Sequence, residues 1–151
     1  MTILLPHEDP ARRCLKVHEW PELDQHAWEI ILQTGDILDG TVGTGFLWAE
    51  ETRNKYRKGY GRWLTFLITS EQLDRNCRPT ERITPERVSA YMDALREDIS
   101  DWTLWGRMAE LLAAARAFDP FGDWGWLRRV VRYLETNGQD SKNKLPRLRP
   151  A

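Results

Sequence analysis

Six cations recur at helical spacing along this chain of 151 residues: Lys55, Lys58 and Arg62, and later Arg128, Arg129 and Arg132. Side chains three, four and seven positions apart share one face of a helix. Basic groups on one face neutralise phosphates, so the chemistry on offer is the binding of a polyanion. The stretch 52–70 also holds Arg53 and Arg57 and has no acid at all. Net charge is only −1, but it is unevenly spread. Residues 1–51 carry 3 basic and 10 acidic side chains, residues 52–127 carry 12 and 11, and residues 128–151 carry 7 and 2. Such asymmetry points to a surface that faces a polyanion, the alternative being helix faces that are merely solvated.

Other chemistries fail on spacing. The glycine loop from Gly35 to Gly45 lacks the Gly-Lys-Ser/Thr of a P-loop, since Thr41 follows Gly40. Its order is Gly-x-x-Gly-x-Gly, the reverse of the dinucleotide fingerprint. His7, His18 and His26 stand at no metal-ligand spacing, and Cys14 with His18 supplies only two ligands. Cys14 and Cys77 are far apart and make neither a zinc motif nor a disulfide framework. No Gly-x-Ser-x-Gly elbow is present. The expectation is therefore no catalytic residue, no metal, no cofactor and no small-molecule substrate. No apolar run approaches the ~18 residues of a membrane span. The first residues lack a basic n-region and a sustained apolar stretch, so the expected compartment is the cytoplasm.

The elements that must position these cations read as helices. Trp20-Pro21 opens a short one that should stop near Gly35. From about Ala49 to Thr69, Tyr56, Tyr60, Trp63, Leu64 and Leu67 form one apolar stripe, which puts Lys55, Lys58 and Arg62 on the opposite side. Residues 70–83 read as a polar connection. Thr84-Pro85 caps a helix with Val88, Tyr91, Leu95 and Ile99 inward. Ser100 caps another, buried through Leu104, Trp105, Met108, Leu111 and Leu112 and ended by Pro120. Asp123 caps a last helix, which Gly138 should close, and residues 139–151 read as an extended basic tail. No segment alternates with period two. The reading is all-α: a compact four-helix bundle with an additional short N-terminal helix and arm. Its eight tryptophans serve mainly as core.

The order of the motifs carries a resemblance. Thr52 and Tyr56 lead into Tyr-Gly-Arg-Trp-Leu-Thr-Phe-Leu (60–67). Then come Thr-Pro-Glu-Arg-Val-Ser-Ala-Tyr (84–91), Thr103 with Arg107, and Trp-Leu-Arg-Arg (126–129). Over residues 48–138 this resembles the N-terminal core-binding domain of tyrosine recombinases, the phage-integrase family. The resemblance implies a SAM-like helical bundle that clamps one face of a DNA duplex. It implies DNA-binding roles for Thr52, Lys55, Thr103, Arg107, Arg128 and Arg132. Lys58 and Arg62 join them from the basic helix face, and Lys142 and Lys144 from the tail, which looks like the start of a linker. Arginine and lysine suit phosphates, and arginine can read guanine.

Residues 1–47 lie outside the resemblance. Their acids should keep this arm off the DNA, with Trp20 and Trp28 packed on the bundle or against another recombinase protomer. The family's catalytic arginines, lysine, His-x-x-Arg box and tyrosine have no counterpart; no histidine here is followed by arginine three positions on. The chain ends where that domain would begin, so it is expected neither to cut nor to join DNA. The alternative is a helical protein–protein interaction domain with solvated basic faces.

Overall fold

The computed structural model describes the backbone of residues 14–33, 35, 38 and 43–148, and side chains as far as Asn137. Among the described residues there are five α-helices and no strand. They are α1 (Glu22–Ile31), α2 (Glu50–Thr69), α3 (Pro85–Arg96), α4 (Asp101–Phe118) and α5 (Gly125–Leu148). The all-α architecture, one short helix ahead of four longer ones, is as the periodicity implies. An irregular arm is expected over residues 1–19; residues 1–13 lie outside the described residues, and Val17–Glu19 form a single 3-10 turn.

Local chemistry explains most helix starts. The Thr84 side chain accepts from the Arg87 amide at 3.3 Å, with Pro85 at the first helical position. Ser100 Oγ accepts from the Thr103 amide at 3.2 Å, and Asp123 Oδ1 from the Gly125 amide at 3.2 Å. Each satisfies a backbone donor that the first turn leaves open.

Two boundaries differ from expectation. α1 ends at Ile31 rather than near Gly35. There the glycine loop returns, and the amides of Gly43 and Gly45 donate to Gln33 O and Ile31 O at 3.0 and 2.7 Å. A Cβ on Gly43 would lie 2.2 Å from Ile31 O, so only glycine lets the backbone come this close. The loop thus closes a helix C-terminus. At the other end, α5 does not stop at Gly138 but continues to Leu148, so the extended tail expected from 139 onward is helical for most of its length. A lone glycine costs a helix only about 1 kcal/mol relative to alanine, and no proline follows until Pro146.

α4 is the hub, packing on α1, α2, α3 and α5. Its Leu104, Met108 and Leu111 are fully buried, as are Tyr60, Trp63, Leu64 and Leu67 of α2, Leu95 of α3 and Leu127 of α5. Trp20 and Trp28 belong to the same core. Trp20 meets Trp28 and Tyr60 edge-on at 5.7 and 5.2 Å, and Tyr60 meets Phe118 at 5.0 Å.

A buried charge pair ties this apolar core to the loops. Arg82 and Asp24 are both fully buried. Arg82 Nη1 donates to both carboxylate oxygens of Asp24, at 2.7 and 2.8 Å. Its Nε donates to Asp74 O and its Nη2 to Cys77 O, each at 2.9 Å. Tyr60 OH donates to Asp24 Oδ2 at 2.5 Å. Burial pushes the Asp24 carboxyl up, and the bonds from Tyr60 and Arg82 hold that rise back. The sequence reading of 70–83 as a mere polar connection missed this anchor.

Arg82→Ala leaves a buried carboxylate without its cation, and we expect a loss of about 3–5 kcal/mol. Tyr60→Phe removes one hydrogen bond to a charged group and should cost less, about 1.5–3 kcal/mol. Urea unfolding followed by circular dichroism checks the order; equal or reversed losses would deny Arg82 the anchoring role.

Candidate nucleic-acid interface

α2 carries its cations in the turns 55–62, and α4 presents Thr103, Arg107 and Glu110 at i, i+4 and i+7. Where these faces meet lies a groove of about 400 Å³, lined by Glu51, Asn54, Lys55, Lys58, Arg62, Arg107 and Glu110. Four of the residues expected to meet DNA therefore converge from two helices. Lys55 and Lys58 are exposed at its rim.

Arg62 and Arg107 are different: Arg62, placed by the helix wheel opposite the apolar stripe, is largely covered, and so is Arg107. Their side chains are only 20% and 17% exposed, and both approach Glu110, which is 7% exposed. Arg62 Nη1 lies 3.6 Å and Arg107 Nη1 4.0 Å from Glu110 Oε1. The helices can approach because position 59 is glycine. A Cβ there would stand 2.5 Å from Glu110 Cβ, a clash that only moving a helix would relieve. Burial raises the Glu110 carboxyl above its ordinary value, with Arg107, Arg62 and Lys55 pulling the other way. Burial and the like charge of Arg62 together lower Arg107.

The remaining expected residues are placed elsewhere. Thr52 is half-buried on α2 and does not line the groove. Thr103 belongs to the start of α4, where its hydroxyl accepts from Ser100 Oγ at 3.1 Å. Arg128 and Arg132 are exposed on α5. Arg128 lines a second groove, of about 360 Å³, with Arg116, Pro120, Gly122, Asp123, Trp124 and Gly125. The two grooves share no residue. Nine positions separate Arg107 from Arg116 on α4, which places them on opposite sides of that helix. The side chains of Lys142 and Lys144 lie outside the described residues. Trp63 is fully buried and packs on Tyr91 at 5.2 Å, which makes it core and not a stacking platform.

Glu110 and Gly59 were missed from sequence. The available signals were small: an Arg107–Glu110 pair at i, i+3 on an otherwise apolar helix, and the Gly59-Tyr60-Gly61 triplet inside a helix. Among the described residues no helix is long and apolar enough to cross a membrane. No protein-family model, curated protein or solved structure matches the chain.

Two outcomes follow. Gly59→Val should force α2 from α4 and destabilise the fold by about 1–3 kcal/mol, against a smaller effect for Gly106→Val, where a Cβ meets open space. Thermal unfolding compares them, and a Gly59 variant as stable as the Gly106 one would exclude the close contact. The second concerns pH. Glu110 titrates higher in the fold than in the open chain, so the fold holds its proton more tightly. That contribution is fully present below the ordinary value of 4.5 and is lost as pH rises through the folded value. Glu110→Gln cannot titrate, so relative to it the wild type should lose stability from pH 4.5 toward neutrality. Urea midpoints of both proteins across that window test this; a constant gap would contradict it.

Proposed function

We propose that this chain is a duplex-DNA-binding module of the kind that precedes the catalytic domain in tyrosine recombinases, and that it is non-catalytic by itself. The observation that carries the reading is the convergence of Lys55, Lys58 and Arg62 with Arg107 in one groove between two helices. Two acids share that lining, so it keeps an excess of positive charge in a chain that is net acidic. Lysines on a rim and arginines further in suit a phosphodiester backbone, where contacts position a protein without reading sequence. The exposed Arg128 and Arg132 add a second basic patch on α5. The all-helical bundle is compatible with the family resemblance.

A second reading has its own observation. α1 leaves Leu23 and Ile30 exposed, 41% and 43%, beside a groove of about 470 Å³ that Pro79 and Phe118 also line. A helical protein-interaction domain would use that surface.

Fluorescence anisotropy with a labelled duplex at two salt concentrations separates them. We expect affinity in the non-specific range of roughly 10⁻⁴–10⁻⁶ M at physiological salt. With about four to six phosphates met, log K against log salt should have a slope of about −4 to −5. Lys55→Glu with Lys58→Glu should nearly abolish binding, and Arg128→Glu with Arg132→Glu, across α4 from the groove, should weaken it less, while folding survives, since all four residues are exposed. If both folded double variants bind duplex as the wild type does, the DNA surface is wrong and the protein-interaction reading is the better one.

A further inference from the structure

Arg62 and Arg107 come from different helices, yet both aim Nη1 at one oxygen, Glu110 Oε1, at 3.6 and 4.0 Å. Those separations are too long for hydrogen bonds. Glu110 Oε1 is buried with no hydrogen-bond partner, and so is Arg107 Nε. The carboxylate thus holds two like-charged guanidiniums near each other without satisfying either. Its Cβ sits against the α2 backbone at Gly59, which keeps the base of the side chain on the groove floor while the carboxylate can still turn away.

What would satisfy them is an anion with two oxygens side by side. A phosphodiester has two non-bridging oxygens, one for each guanidinium, and charge-assisted bonds of this type close to about 2.7–2.9 Å. The groove is open to such a group and bordered by Lys55 and Lys58. A carboxylate under the same spot repels what the arginines attract.

We propose that the α2–α4 groove anchors one backbone phosphate of a DNA duplex between Arg62 and Arg107, and that Glu110 is a built-in competitor that the phosphate must displace. This rests on the DNA-binding reading above. A lone phosphate must overcome Glu110 by itself. A duplex phosphate arrives with its neighbours already held at Lys55 and Lys58, so its encounter with the fork is effectively intramolecular. Glu110 therefore sets a threshold that favours polymer over free anion.

The test uses the whole chain, a 20-base-pair duplex, and the Nε–Hε signals of the arginines in ¹H–¹⁵N spectra. Duplex should shift the signals of Arg62 and Arg107, assigned through Arg62→Lys and Arg107→Lys. Inorganic phosphate at the same phosphate concentration should leave them in place. By anisotropy, Glu110→Gln should bind duplex about tenfold more tightly, the effect of removing one like charge from the floor of the groove. Arg107→Gln should weaken binding and reduce the salt slope by about 1. Circular dichroism confirms that each variant is folded. If duplex binds but leaves both signals unmoved, or if folded Glu110→Gln binds no tighter than wild type, the anchor is wrong while the DNA reading stands. If free phosphate moves the signals as duplex does, the site serves a small phosphate ligand and the duplex assignment falls. If the wild type binds no duplex even at low salt, the DNA reading fails and takes this inference with it.

Discussion

The buried contact between Arg82 and Asp24 orients everything around it. Removing two charges from water is costly, and such a pair adds little net stability over an apolar replacement. What it adds is direction. Arg82 uses Nε and Nη2 on the Asp74 and Cys77 carbonyls of one loop, and Nη1 on the Asp24 carboxylate of α1. Asp24 in turn takes the Tyr60 hydroxyl. An apolar core tolerates sliding of one helix over another, whereas this network has one geometry that leaves no charge unpaired. It sets α1 against α2 and fixes the loop that leads into α3.

Its reach into the candidate site runs through three consecutive residues. Gly59 admits Glu110 of α4, Tyr60 bonds Asp24 of α1, and the carbonyl of Gly61 accepts from the Leu15 amide at 3.3 Å. Successive residues turn by 100° around a helix, so one turn of α2 is gripped from three sides. The distance between α2 and α4, and hence the width of the groove, is set at this turn. Arg62 lies one residue beyond it. The candidate groove is thus built beside a restrained turn of the helix, which would suit a pre-organised binding site.

What was legible in the sequence was local. Periodicity located α2, α3 and α4, and the caps at Thr84, Ser100 and Asp123 were readable because cap and helix are a few residues apart. The core stripes of α2 and α4 followed from the same pattern, as did the cations Lys55 and Lys58; Arg107, which lines the same groove, was singled out by the family resemblance. What was not legible was long-range. Nothing in the wording near Asp24 announces Arg82, 58 residues away. Arg62 read as solvated because its place on the helix wheel is opposite the apolar stripe; but α4 covers that side too, through Glu110. The end of α5 was misplaced because glycine was treated as a stop, when it is only a weak penalty without a following turn.

Charge placement links the fold to its proposed use. Among the described residues of the acid-rich first third, Asp24 is buried, and Arg82 answers it. Glu50 and Glu51 begin α2, where the helix dipole favours negative charge. Cations then follow along the same helix, so α2 runs from an acidic start to a basic middle that faces α4. Glu110 interrupts that basic field at its deepest point. A field made only of cations would hold any small anion, at the cost of repulsion between Arg62 and Arg107 in the empty groove. A carboxylate between them relieves that repulsion and lowers the attraction for a single anion. Under the proposed DNA binding, affinity would then come from several phosphates at once, which a duplex backbone offers and a single anion does not.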